Sequence, residues 1–136
     1  MYVMVYSDGA SRRNPGPAGA GAVLTDERGE VLYEVCQYLG QTTNNQAEYS
    51  AAILGLEKAL EIGATKVLLK ADSQLLIKQI NGEYRVKNPD LKPLYEKVIF
   101  LLDRFDSYDP PQHIPRQQNH LADAQANRAI DEQAFA

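Results

Sequence analysis

Four carboxylates occupy positions that an alternating fold of strands and helices would bring together: Asp8, Glu48, Asp72 and Asp123. Asp8 follows a β-branched and aromatic run at residues 2–6, and Asp72 follows a second such run at 66–71, so each marks the carboxyl end of a predicted strand. Glu48 and Asp123 are expected in the first turns of two helices. Ligands of α/β sheets gather outside the carboxyl ends of the strands. Like charges sharing a few ångströms raise one another's pKa values and cost stability unless a cation balances them. Oxygen donors without Cys or His beside them suit magnesium or manganese better than zinc. Two such ions about 3.5–4 Å apart can activate a water on one side of a phosphodiester and stabilise the leaving oxygen on the other. No side-chain nucleophile is then required. Singly, each acid has a plainer use, as a turn or cap residue or as an offset to a helix dipole. It is their joint placement that points to phosphate chemistry.

The elements that must position these acids follow from periodicity. After the first strand, residues 11–21 carry Asn14-Pro15-Gly16-Pro17 and further small residues, a turn-forming composition, and residues 22–24 resume as a second strand. A hairpin turn at 26–30 leads to a third, antiparallel strand over 31–39. Residues 42–63 form the clearest helix, with Tyr49, Ala52, Ile53, Leu56, Ala59 and Leu60 on one stripe, a Thr43/Gln46 capping box and Gly63 after the last turn. Ser73 caps a helix closing at Gly82, and Asn88-Pro89 opens another whose apolar stripe runs to Phe105. A loop at 106–111 precedes a last strand at 112–116, which Pro115 confines to a sheet edge. Asn119 then caps a final helix that carries Asp123 near its start. The order is that of an α/β protein: a mixed sheet begun by antiparallel hairpins and finished by crossover helices.

A length of 136 residues is that of a single domain, spanning 1–136. Cys36 has no disulfide partner, and the amino terminus is apolar for too few residues to be a signal peptide or a membrane span. A cytoplasmic setting is expected, with no membrane partner. The net charge of −4 works against nonspecific coating of phosphates, which draws on a basic field. It is reconciled if the acids are gathered in one metal site, leaving Arg12, Arg13, Arg85, Lys87 and Arg116 to meet phosphates. His113 and His120 are the only histidines, and neither is assigned a role.

The motifs Tyr6-Ser7-Asp8-Gly9 with Asn14-Pro15-Gly16-Pro17, then Thr42-Thr43-Asn44-Asn45-Gln46-Ala47-Glu48, Asp72-Ser73 and Asn119-His120-Leu121-Ala122-Asp123 resemble those of ribonuclease HI, in order and across nearly the whole chain. The resemblance implies a ribonuclease H-like fold, a five-stranded mixed sheet in the order 3-2-1-4-5 whose first three strands are antiparallel, with helices on both faces. It implies an endonuclease that hydrolyses the RNA strand of RNA/DNA hybrids with two Mg2+ ions, Mn2+ being a possible substitute, and leaves 5′-phosphate and 3′-hydroxyl ends. Asp8, Glu48, Asp72 and Asp123 match the family's catalytic, metal-holding acids. Gly9, Asn14, Thr43, Asn44 and Gln74 match substrate-binding positions, of which Asn14, Asn44 and Gln74 meet the minor groove and Thr43 a DNA phosphate. The 2′-hydroxyls displayed in that groove are what separate RNA from DNA.

Two departures from the family pattern stand out. Residues 116–119 run almost directly into the last helix, with no room for the histidine-bearing loop of many members. Arg116 matches an arginine of the short-loop branch that assists departure of the leaving group or product. Residues 81–90 are short and hold only Arg85 and Lys87, where longer members carry a basic protrusion, so a high Michaelis constant that rises steeply with salt is expected. Competing readings are another nuclease on the same fold, such as an exonuclease, and a non-catalytic nucleic-acid module. The expected assembly is a monomer with no obligate protein partner, because the apolar stripes can be satisfied internally.

Overall fold

A computed structural model describes residues 1–134 of the chain, so the last two residues of the expected 1–136 unit lie outside the described residues. Strands β1 (Tyr2–Ser11), β2 (Gly16–Thr25) and β3 (Val31–Thr42) form an antiparallel meander followed by helix α1 (Asn44–Glu61). Strand β4 (Lys66–Ala71) then pairs parallel to β1 on its other side, and helices α2 (Gln74–Ile80) and α3 (Lys92–Leu102) follow. The chain continues through β5 (Ser107–Tyr108) and β6 (Gln112–His113) to α4 (His120–Glu132). The strand order β3-β2-β1-β4-β5 is the expected 3-2-1-4-5.

The fifth position departs from the single strand expected at 112–116. Two short strands, β5 and β6, each pair parallel to β4, one on each side of Pro110 and Pro111. Consecutive prolines remove two ladder donors, which is enough to break the ribbon there. Arg116 consequently sits outside the sheet, in a 3-10 turn spanning Arg116–Gln118.

The largest correction concerns residues 11–21. They are strand for most of their length: β1 runs on to Ser11 and β2 begins at Gly16, so Asp8 lies within β1 and pairs with Gly21. The reason is packing. A Cβ on Gly19 or Gly21 would collide with the backbone of α4 around Ala126. Ala122, Ala126 and Ala129 of α4 are all fully buried against these glycines, so small residues on both sides let the helix seat directly on the sheet. On the neighbouring register of β2, Gly55 of α1 meets Ala22 and Val5. Adjacent residues of a strand face opposite ways, so α1 and α4 cover opposite faces. The larger core lies on the α1 side, where Val3, Val5, Leu24, Leu56, Val67 and Leu69 pack with Val98 and Leu102 of α3.

The capping box of α1 forms as read, with Thr43 accepting from Gln46 N–H and the Gln46 side chain accepting from Thr43 N–H. Glu48 therefore lies in the second turn, one residue beyond the expected first. Helix α3 begins at Lys92 after a turn in which the Asn88 side chain accepts from Asp90 N–H, and Phe105 is buried beyond its end. No helix among the described residues is long and apolar enough to cross a membrane.

Candidate active site

Ser7 of β1 and Ala71 of β4 are parallel partners, so the next residues, Asp8 and Asp72, emerge side by side. Glu48 is delivered by a close approach of α1 to β1. The Gly9 N–H donates to Glu48 Oε1, and a Cβ at Gly9 would strike the backbone of Ala47 and Glu48, so only glycine allows the helix this near. Carboxylate oxygens of Asp8, Glu48 and Asp72 consequently all lie within 4.8 Å of one another.

Asp8 and Glu48 are 7% and 8% exposed. Burial pushes the Asp8 carboxyl far above the usual range, and the charges of Glu48 and Asp72 add to the rise. Burial raises Glu48 as well, against the opposing hydrogen bonds with Asp8 and the Gly9 N–H. Such a cluster is unstable as a set of bare anions. An all-oxygen donor group under mutual repulsion fits a hard divalent cation, and Asp8, Glu48 and Asp72 are the residues that would hold it.

Asp123, in the first turn of α4, stands outside this tightest group but borders the same cleft, a space of about 550 Å3. Arg116, Arg12, Ser11, Asn44 and Asn127 also line it. The seating of α4 on Gly21, the ladder partner of Asp8, is what carries Asp123 to the cleft.

The remaining sequence-derived residues divide. Asn44 lines the cleft, and its Oδ1 accepts from Ser11 N–H at 2.8 Å, while Asn14 Oδ1 accepts from Asn44 N–H at 2.9 Å. The two amides thus lock the β1–β2 hairpin to the start of α1. Both carbonyl oxygens are engaged, so each side chain has its NH2 donors left for a ligand. Asn14, Thr43 and Gln74 lie outside the cleft lining, Thr43 as the α1 cap and Gln74 exposed at the start of α2. Asn119 does not cap α4 with its side chain; it is buried, and its Nδ2 donates to the Ser7 carbonyl. Asn127 was not found from the sequence. Its position four residues after Asp123 on one helix face is the signal that would have found it.

A family model described as reverse transcriptase-like matches residues 6–129. The chain is 44% identical to the ribonuclease HI of Halobacterium salinarum, a match covering 96% of this chain and 65% of that protein. It is 40% identical to a ribonuclease H of Lachnoclostridium phytofermentans over 96% of this chain and 93% of the relative. It spans only 36% of a longer bifunctional protein of Mycobacterium tuberculosis to which it is 43% identical. Among solved structures, LC11-RNase H1 in complex with an RNA/DNA hybrid is similar with a TM-score of 0.91 at 40% identity, covering 96% of this chain and 98% of that one.

Proposed function

The chain belongs to the ribonuclease H family, and from that membership we propose that it is an endonuclease that hydrolyses the RNA strand of RNA/DNA hybrids, leaving 5′-phosphate and 3′-hydroxyl ends. The observation that carries this reading is the convergence of Asp8, Glu48 and Asp72 within 4.8 Å, in a cleft that Asp123 and Arg116 also border. Divalent ions, Mg2+ with Mn2+ as a substitute, would supply charge neutralisation at the scissile phosphate and acidify an attacking water.

The chain's own residues do the rest. Asp8, Glu48, Asp72 and Asp123 are the residues that would hold the ions. Arg116 brings a permanent positive charge to the cleft, suited to the negative charge that grows on the leaving oxygen. Asn44 and Asn14 offer NH2 donors to the minor groove, with Gly9, Thr43 and Gln74 completing the contact to the duplex. The proposed form is a monomeric single unit over 1–136, acting in the cytoplasm.

The experiment is an incubation of end-labelled linear hybrid, circular hybrid, double-stranded RNA, single-stranded RNA and double-stranded DNA with magnesium, manganese or chelator, alongside Asp72→Asn. Internal, metal-dependent cuts confined to the RNA of both hybrids, and lost in the variant, are expected. Cutting only from ends would make the protein an exonuclease, and binding without cutting would make it a nucleic-acid module.

A further inference from the structure

The fourth acid, Asp123, comes from a different helix, α4, yet lies close enough to Asp8 to help raise its pKa, and it has a support of its own. Asn127, one turn further along α4, provides it: its Nδ2 donates to the Asp123 carbonyl at 3.0 Å and to Asp123 Oδ1 at 3.4 Å. An amide can sit either way round, and what fixes this one is Arg12. The Arg12 guanidinium donates to Asn127 Oδ1 at 3.3 Å, which obliges the NH2 end to face Asp123. Arg12 is itself held by an ion pair with Asp131 at 2.8 Å. The chain of contacts therefore runs from the tip of the β1–β2 hairpin through α4 to Asp123, and Arg12, Asn127 and Asp123 all line the active-site cleft.

We propose that Asn127, oriented by Arg12, is a positioning residue that holds the Asp123 carboxylate toward the cation site and leaves its second oxygen, Oδ2, as the ligand. This rests on the proposed metal-dependent function. A half-buried carboxylate on the first turn of a helix, as Asp123 is, keeps side-chain torsions that packing alone does not set. A donor on one oxygen removes that freedom before the cation arrives, which is the role outer partners commonly play for metal-ligating groups.

The test compares wild type with Asn127→Ala, Arg12→Gln and the double variant. The readout that does not depend on cleavage is the rise in Tm produced by manganese without nucleic acid, since a bound ion stabilises the native state according to its affinity. Asn127→Ala should need about tenfold more manganese for the same rise, and Arg12→Gln, a surface change that leaves the α4 packing intact, should shift it in the same direction by less. The double variant should match Asn127→Ala, because Arg12 acts through Asn127. In cleavage, the magnesium concentration for half-maximal kcat of Asn127→Ala should rise by a similar factor while its KM for the hybrid stays constant. Manganese curves that coincide for wild type and all variants would overturn the proposal, as would a raised KM with an unshifted metal requirement, which would make Asn127 a hybrid contact. A wild type that is stabilised by manganese yet cuts no hybrid would refute the nuclease reading and leave this comparison still decisive.

Discussion

Asn119 Nδ2 donates to the Ser7 carbonyl at 2.9 Å, joining the residue before α4 to the residue before Asp8. Both residues are buried, at 1% exposure each. This one bond sets the strand that carries Asp8 against the helix that carries Asp123. Asn119→Ala should cost about 1–3 kcal/mol of stability, the usual consequence of losing a buried hydrogen-bond donor. It should also lower kcat more than it raises KM, because the two acids lose their common frame. Chemical denaturation and steady-state kinetics on the variant check both, and an unchanged kcat at reduced stability would confine the bond to folding.

Asp8 and Glu48 hold their protons more tightly in the fold than in an unfolded chain, principally through burial. At this pair the metal-free native state thus binds more protons than the unfolded state, so the pair's contribution to stability is fullest below about pH 4 and is lost as pH rises through neutrality and, for Asp8, beyond it. In chelator, Tm should decline over that window; with magnesium or manganese the decline should flatten. Asp8→Asn should raise the chelated Tm at neutral pH and abolish cleavage. A chelated Tm that climbs with pH would contradict the electrostatic account of the site.

Arg116 is expected to act on turnover. With hybrid saturating, Arg116→Ala should reduce kcat by about 10²-fold, the scale on which a group stabilising developing charge contributes. Arg116→Lys keeps the charge but loses the planar fork, and should recover only part of the rate. Equal kcat in wild type and Arg116→Ala would reduce this arginine to a surface cation.

Gly21→Ala tests whether the small-residue stripe positions chemistry. The added methyl would collide with α4 at Ala126, and forced overpacking of this kind costs about 1–3 kcal/mol. The helix must lift, taking Asp123 with it. Lower stability and lower kcat are therefore expected together, while Gly29→Ala, at a hairpin with open space around the glycine but with φ at +85°, should affect stability alone.

Grip on the duplex should be weak and electrostatic. Residues 81–90 are exposed apart from Val86 and contribute only Arg85 and Lys87. KM for the hybrid should rise steeply with salt, and Lys87→Ala should flatten the logarithmic salt slope by about 1 if that side chain meets a phosphate. A tight KM that ignores salt would require a binding mode other than phosphate contact.

The most readable parts of this protein were those where one residue type has one dominant use. Thr43 and Gln46 announced the start of α1, and the β-branched run before Asp72 announced β4, because capping and strand burial leave little choice of side chain. Gly16 to Gly21 were ambiguous for a physical reason. Glycine, alanine and proline make turns, but they also make a strand over which a helix passes at close range, and composition does not distinguish the two. The position of Asn119 is equally two-sided. A residue before a helix is ordinarily its cap, whereas here the side chain turns inward to a strand more than a hundred positions earlier in sequence. The four acids are legible in the sequence as a group, whereas the tight set of Asp8, Glu48 and Asp72 and the separately supported Asp123 differ through contacts between elements far apart in the chain.

The division of the sheet's fifth position into β5 and β6 bears on how this protein behaves in a crowded solution. A long outer strand offers an unpaired row of amides and carbonyls on which a second molecule can template itself. Here that margin is two short pieces interrupted by Pro110 and Pro111, and an incoming strand finds only two residues of register before the ladder breaks. The proline pair that spoils the regularity of the sheet thereby guards this border against end-on growth of aggregates.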